Sequence, residues 1–263
     1  MRELFAPRRS PVHRLDARVK VVLTLAFILA LSLTPYRAWP AYVLFLAASL
    51  SLALLSRLGI GFVLRRSLLA LPFLLAAAPL VFTGPPPHLA APLPPGGQVV
   101  YSPEGLGRFA SIAVRSWIAV QAAVILAATT RFPDLLLALR QLKVPALFVA
   151  VIGLLWRYLF VIGDEAARML RARSSRSATA PGSLRAGGTL YWRAKVAGGM
   201  AGSLFVRSLE RGERVHAAML SRGHTGELPT GEATPLPGEA RRALVLGLAL
   251  LALLWLLGLL TGG

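Results

Sequence analysis

The sequence predicts an all-α integral membrane protein with about five transmembrane helices and a helical cytoplasmic domain inserted before the last span. Three observations predict it. The 263 residues are 56% apolar and only 15% charged, against about 25% charged in an average soluble domain. Ala243 to Leu260 is an unbroken apolar run of the length a bilayer core requires. The 29 Lys and Arg outnumber the 11 Asp and Glu, giving a net charge of +18, and they gather between the apolar runs. In a membrane protein such clusters mark cytoplasmic segments that meet anionic lipid head groups. The expected partners on this count are therefore membrane lipids, and nucleic acid is not expected. The chain has no cysteine, which excludes disulfides, thiol catalysis and cysteine metal sites.

The elements follow in order. Met1 to Lys20 is basic and reads as cytoplasmic. The first span, about 21–35, is a retained helix and not a cleaved signal, because its basic leader is long and further spans follow. Tyr36, Trp39 and Tyr42 mark a membrane interface, and the second span is about 40–55. Arg57, Arg65 and Arg66 return the chain to the inside before a third span, about 67–83. Gly84 to Pro103 is rich in Pro and Gly and lacks Lys and Arg, so it is an external loop, in which Val99, Val100 and Tyr101 suit a short strand. The fourth span is about 106–130. Its Arg115 is read as snorkelling to the outer interface or capping a neighbouring helix, in preference to an intramembrane site. Residues 1–130 thus form an N-terminal membrane domain.

Residues 131–242 are expected to form the cytoplasmic helical domain. Pro133-Asp134 starts a helix through Leu142, and Pro145 starts another. Val144 to Val161 is apolar enough to tempt a span, but Trp156-Arg157-Tyr158 interrupts it. If it crossed, the many arginines from Arg168 to Arg222 would lie outside, against the positive-inside tendency. It is therefore read as a helix lying along or re-entering the cytoplasmic surface. Asp164 is expected to pair with Arg168 at i,i+4. Ala178 to Gly188 is a small-residue link, Trp192 to Leu220 a long helix ended by Gly223, and Gly226 to Gly238 a second link. Residues 243–263 hold the last transmembrane helix, so the amino terminus and the inserted domain share the cytoplasmic side of the cell's inner (plasma) membrane.

Inside the basic domain one short pattern occurs twice: Ala172-Arg173-Ser174-Ser175-Arg176-Ser177 and Ala218-Met219-Leu220-Ser221-Arg222-Gly223. Both read Ala-x-x-Ser-Arg-(small). On a helix, Ala and Arg four apart lie on one face. A small residue one turn before an Arg lets another protein approach the backbone while the guanidinium reaches out. Catalytic signals are missing. There is no Gly-x-x-x-x-Gly-Lys-Ser/Thr phosphate loop, so the chain should not hydrolyse ATP. His13, His88, His216 and His224 lack metal-ligand spacing, and the serines of the two patterns have no His/Asp partner. No catalytic residue, cofactor or metal is assigned, and the chain is not expected to be an enzyme.

Longer stretches accompany the two patterns: His13-Arg14-Leu15-Asp16-Ala17-Arg18-Val19-Lys20; Thr130-Arg131-Phe132-Pro133-Asp134-Leu135-Leu136; Val144-Pro145; Arg157-Tyr158-Leu159-Phe160-Val161 through Asp164-Glu165-Ala166-Ala167-Arg168-Met169; and Leu204-Phe205-Val206-Arg207-Ser208-Leu209-Glu210-Arg211-Gly212-Glu213-Arg214, running into Ala217 to Gly223. In these the chain resembles the transmembrane (T) component of energy-coupling factor transporters, the cobalt-type CbiQ branch in particular, over nearly its whole length. The resemblance implies two Ala-Arg-Gly-like signatures that end coupling helices and engage two ATP-binding cassette ATPase subunits. Carried over, these are Ser175-Arg176-Ser177 and Ser221-Arg222-Gly223, with Ala172 and Ala218 one turn before each Arg. Ser replaces Ala in both, and Ser177 replaces Gly in the first, where Ala172-Arg173-Ser174 is an alternative register. The resemblance further implies a separate substrate-binding membrane subunit, the S component, and a substrate that is most simply cobalt, with nickel or a vitamin as alternatives; a stand-alone secondary transporter or a membrane scaffold is the more distant alternative.

Overall fold

The computed structural model describes residues 5–8, 10–70, 72, 76–85, 89–93, 97–176, 189–224 and 235–262. The chain forms two compact units, one of Arg2–Leu142 with Glu232–Gly263 and the other centred on Lys143–Gly231.

The first unit opens with a short helix, α1 (Pro11–Arg14), capped by the Ser10 side chain. Asp16 then caps α2 (Ala17–Leu33) by accepting from the Arg18 N–H at 2.9 Å. Trp39-Pro40 starts α3 (Trp39–Leu55), Pro being tolerated in a first turn because its missing N–H is unneeded there. After a turn with Gly59 at φ +85° comes α4 (Ile60–Ser67), which tightens into a 3-10 turn over Leu68–Ala70. A turn at residues 76–79 leads into α5 (Leu80–Thr83). Strands β1 (Leu89–Leu93) and β2 (Gly97–Tyr101) pair antiparallel, Leu89 opposite Tyr101 and Leu93 opposite Gly97. Ser102 accepts from the Gly105 N–H at 3.2 Å and so caps α6 (Pro103–Thr129), which is followed by α7 (Phe132–Gln141). The last helix, α10 (Gly238–Gly262), returns to this unit.

Helices α2, α3, α6 and α10 share one core of Phe27, Leu31, Tyr42, Phe45, Ile118, Leu251 and Leu254. Phe27 and Phe45 meet edge to face with centroids 5.3 Å apart, a geometry worth about 0.5–1.5 kcal/mol beyond area. Small residues let the backbones close. A Cβ on Gly258 of α10 would stand 3.0 Å from Thr34 Cγ2 and 3.2 Å from Ala41 Cβ, the close approach typical of helices that associate in lipid. Ser49 Oγ donates to Gln121 Oε1 at 2.8 Å and ties α3 to α6. Arg115 Nη1 donates to the Ser32 carbonyl at 3.0 Å in the last turn of α2, and its guanidinium lies 5.7 Å from the Tyr42 ring. This hydrogen bond fits the helix-capping reading of Arg115.

The second unit holds two 31-residue helices, α8 (Ala146–Arg176) and α9 (Leu190–Leu220). Among the described residues, α6, α8 and α10 are long and apolar enough to cross a membrane, and α3 is a shorter apolar helix. This is the architecture of an all-α membrane protein, with the β1–β2 hairpin as a small addition. Two segments differ in detail from the sequence expectation. The region 67–83 is no single helix, since the 3-10 turn and the turn at 76–79 interrupt it; Pro79 at the second break removes a backbone donor. The region 144–161 is the beginning of the uninterrupted α8, which runs through Trp156-Arg157-Tyr158. A charged side chain on an exposed face interrupts the apolar run but not the backbone ladder, so the expected helix is present and continues past Val161.

Candidate functional site

The two Ala-x-x-Ser-Arg copies lie at the last described turns of the two long helices of the second unit. Arg176 is the last described residue of α8, and Ser221-Arg222 follows the last residue of α9. In each copy the serine bonds back into its helix in the same way. Ser175 Oγ donates to the Ala172 carbonyl at 3.0 Å, and Ser221 Oγ donates to the Ala218 carbonyl at 3.0 Å. Helix ends leave four carbonyls without intrahelical donors, and the serine hydroxyl supplies one donor to a carbonyl in the last turn. The arginine that follows carries positive charge at the negative end of the helix dipole. Ala172, Ser175, Arg176, Ala218, Ser221, Arg222 and Gly223 are all exposed. Ser177 lies outside the described residues, as do the links at 178–188 and, in large part, 226–238.

The second copy ends in a complete stop. Gly223 has φ +75°, its N–H donates to the Leu220 carbonyl at 2.9 Å, and the His224 N–H reaches the Met219 carbonyl at 3.0 Å. This is a Schellman-type ending, in which the left-handed position suits Gly because no Cβ is present to clash.

Helices α8 and α9 are held together by side chains close to the motifs. Glu165 on α8 accepts from Arg168 on its own helix and from Arg207 Nη1 on α9 at 3.0 Å. The ion pair of Arg168 is with Glu165 at i,i+3, and the expected partner Asp164 acts on it through its charge alone. Arg173 is half-buried, with its guanidinium 5.9 Å from the Trp192 ring near the start of α9. Ala172, Arg173 and Arg176 line a cavity of about 530 Å³ between the helices with Trp192, Val196 and Met200. Both arginines competing for the first motif line this cavity, Arg173 half-buried beside the Trp192 ring and Arg176 more exposed. Sequence reasoning missed the Trp192 contact and the Arg207 bridge, since neither has a local signature.

The first half of α8 has a second notable surface. Leu147, Val151, Leu155 and Leu159, spaced four apart, are all exposed. They form one apolar stripe that no other described residue of the unit covers.

Comparison with known proteins adds to this geometry. A family model described as cobalt transport protein CbiQ matches residues 8–232. The chain is 26% identical over 222 residues to an uncharacterized protein of Methanocaldococcus jannaschii, covering 82% of this chain and 72% of that protein. It is 33% identical over 109 residues to a second uncharacterized protein of the same organism, covering 41% and 38%. It is also 30% identical over 149 residues to the cobalt transport protein CbiQ of Rhodobacter capsulatus, covering 57% of this chain and 56% of the relative.

Proposed function

The chain belongs to the CbiQ family of cobalt transport proteins, and from that premise we propose that it is the energy-coupling transmembrane subunit of an energy-coupling factor importer, transmitting the movements of two ATP-binding cassette ATPases to a separate substrate-binding membrane subunit. The observation that carries this reading is the matched pair of helix ends. Each of the two long helices carries an exposed Ser-Arg at or just past its last described turn, with the serine hydroxyl donating to the carbonyl of the alanine three residues before it.

Arg176 and Arg222 would each insert into a groove on one ATPase. Arginine suits the task because it stays charged and presents a rigid fork of donors to carboxylates or carbonyls. A serine one residue before it keeps the approach narrow, and Ala172 and Ala218 keep the preceding turn narrow as well. Closure of the ATPases on ATP would draw the two helix ends together or apart. The exposed stripe Leu147, Val151, Leu155 and Leu159 would carry that motion to the substrate-binding subunit, lying along or entering the inner membrane from its cytoplasmic side. On this reading the amino terminus and residues 131–242 are cytoplasmic, cobalt is the substrate, and the chain performs no catalysis.

The test is copurification of the tagged full-length chain from its native membrane with identification of the bound subunits. An ATPase pair with a small metal-binding membrane subunit is the expected result. An ATPase pair with a vitamin-binding subunit would keep the mechanism and replace the substrate. A chain that comes out alone and catalyses uptake alone would overturn the proposal.

A further inference from the structure

The stretch His13 to Lys20 has no part in the coupling mechanism, yet it lines two adjoining cavities of opposite character. The first is a recess of about 470 Å³ whose lining includes Arg8, His13, Lys20, Thr130, Arg131 and Asp134. Three of these are cations and one is an acid. The second is a groove of about 430 Å³ between α2, α3, α6 and α10, walled by Leu23, Phe27, Leu52, Leu126, Leu251 and Leu254 among others, and overwhelmingly apolar. Leu15, Lys20 and Thr129 belong to both linings.

Lys20 sits at this junction. It is buried, and its Nζ donates to the Thr129 carbonyl at 3.0 Å. An ammonium group has three donors, and among the described residues this is the one hydrogen bond its side chain makes. Thr130 Oγ1, in the recess lining, is buried and without a hydrogen-bond partner among the described residues. Buried donors and acceptors left in this state call for a polar ligand or water. Arg8 and Arg131 frame the mouth. Both are exposed, Arg8 reaching the Arg57 carbonyl and Arg131 standing 5.3 Å from the Phe5 ring.

We infer that these joined cavities bind one anionic phospholipid, its phosphate in the Arg8–Lys20–Arg131 recess and one acyl chain in the apolar groove. A free anion would use only the recess, and a hydrocarbon only the groove. A molecule with a charged head directly attached to an apolar tail uses both, and its change of polarity falls at Lys20, where the basic start of α2 gives way to the apolar run from Val21. The volumes are those of ordinary ligand sites, and juxtamembrane Lys and Arg are the residues that attract anionic head groups. The bound lipid would stitch the N-terminal segment, which already joins α6 through the Ala6 N–H and the Ala128 carbonyl at 3.0 Å, to the membrane helices behind it.

The full-length chain, purified and delipidated in detergent, is titrated by native mass spectrometry with phosphatidylglycerol, with phosphatidylcholine of the same chains, and with inorganic phosphate. One phosphatidylglycerol per chain is expected, bound about tenfold or more tighter than phosphatidylcholine. The Arg8→Gln/Arg131→Gln double variant, altered only at exposed side chains, should lose that preference, and Arg131→Lys should largely keep it. Ala122→Trp, which fills the groove, should weaken both lipids. Equal binding of the two lipids by the unaltered chain overturns the inference, and so does inorganic phosphate binding as tightly as phosphatidylglycerol. An unchanged preference in a folded double variant overturns it too.

Discussion

Glu165 Oε1 and Arg207 Nη1 lie 3.0 Å apart and join the two motif-bearing helices across 42 positions of sequence. Glu165 also accepts from Arg168, so one carboxylate ties both helices at a single point. Because the arginines are largely exposed, the tie adds little to folding stability. Its value lies in keeping two helices in register. Glu165→Gln should therefore leave expression and thermal melting in detergent nearly unchanged while lowering the uptake obtained per ATP hydrolysed in the reconstituted transporter. Equal coupling ratios for variant and wild type would show that the tie has no such part.

Arg176→Glu and Arg222→Glu reverse the charge of an exposed helix end without touching any core residue. Truncating one partner of a desolvated, hydrogen-bonded charge contact costs about 2–5 kcal/mol. Each variant should weaken capture of the ATPase pair and abolish uptake, with unchanged melting of the chain alone. Pull-down against purified ATPases measures it directly. Arg173→Gln, on the alternative register, should disturb the contact with Trp192 and retain ATPase binding.

Gly105 marks a tight crossing in the first unit. A Cβ added there would collide with the Leu80 carbonyl oxygen and stand 3.2 Å from the Gly84 Cα. Backbone cannot yield as a flexible side chain can, so Gly105→Ala should destabilise by about 1–3 kcal/mol, the usual cost of overpacking. Ala at Gly107, which meets nothing within 4 Å, is the control. A lowered melting temperature for the first variant alone is the expected result.

His13 gives the N-terminal segment a pH dependence. Its Nε2 donates to the Ala6 carbonyl at 3.0 Å, which leaves Nδ1 to accept from the Ser10 hydroxyl at 2.7 Å, so the neutral ring fits. Burial pulls its pKa below the ordinary 6.5; the Ala6 hydrogen bond opposes this, and the charges of Lys20 and Arg8 add to the fall. Between the lowered folded value and 6.5 the unfolded chain binds more proton than the folded one, so stability rises with pH through that window. The contribution is complete above 6.5 and is lost as pH falls below it. Melting curves across that interval should slope for wild type and flatten for His13→Asn.

The helices were legible where one residue type sufficed to declare them. The apolar run of α10 has the length and composition of a membrane helix, Pro133-Asp134 opens α7, and Gly223 takes the positive φ its position demanded. The interruption of 67–83 was harder to read because leucine and alanine suit a span and a broken helix equally. Trp156-Arg157-Tyr158 interrupted the apolar run without ending the helix, and nothing in the sequence beyond Val161 announced that the helix continues to Arg176. In the candidate site, the two Ser-Arg ends and their alanines stood out by repetition. Arg207 on Glu165, Trp192 under Arg173 and Lys20 on Thr129 could not stand out, since each pairs residues brought together only by the fold.

The Glu165–Arg207 tie divides α8 unequally. At 1.5 Å per residue, about 16 Å of rod separates Glu165 from Arg176 and about 28 Å separates it from Ala146. A rigid rod pivoting at that point swings its long end by about 1.7 times the travel of its short end. On the proposed function, a small stroke delivered at Arg176 would emerge enlarged at Leu147 and Val151, which lie farther from Glu165 than Arg176 does, and reduced at Leu159, which lies nearer, so the far end of α8 has the proportions of a lever arm with mechanical gain, and its fulcrum is a single carboxylate.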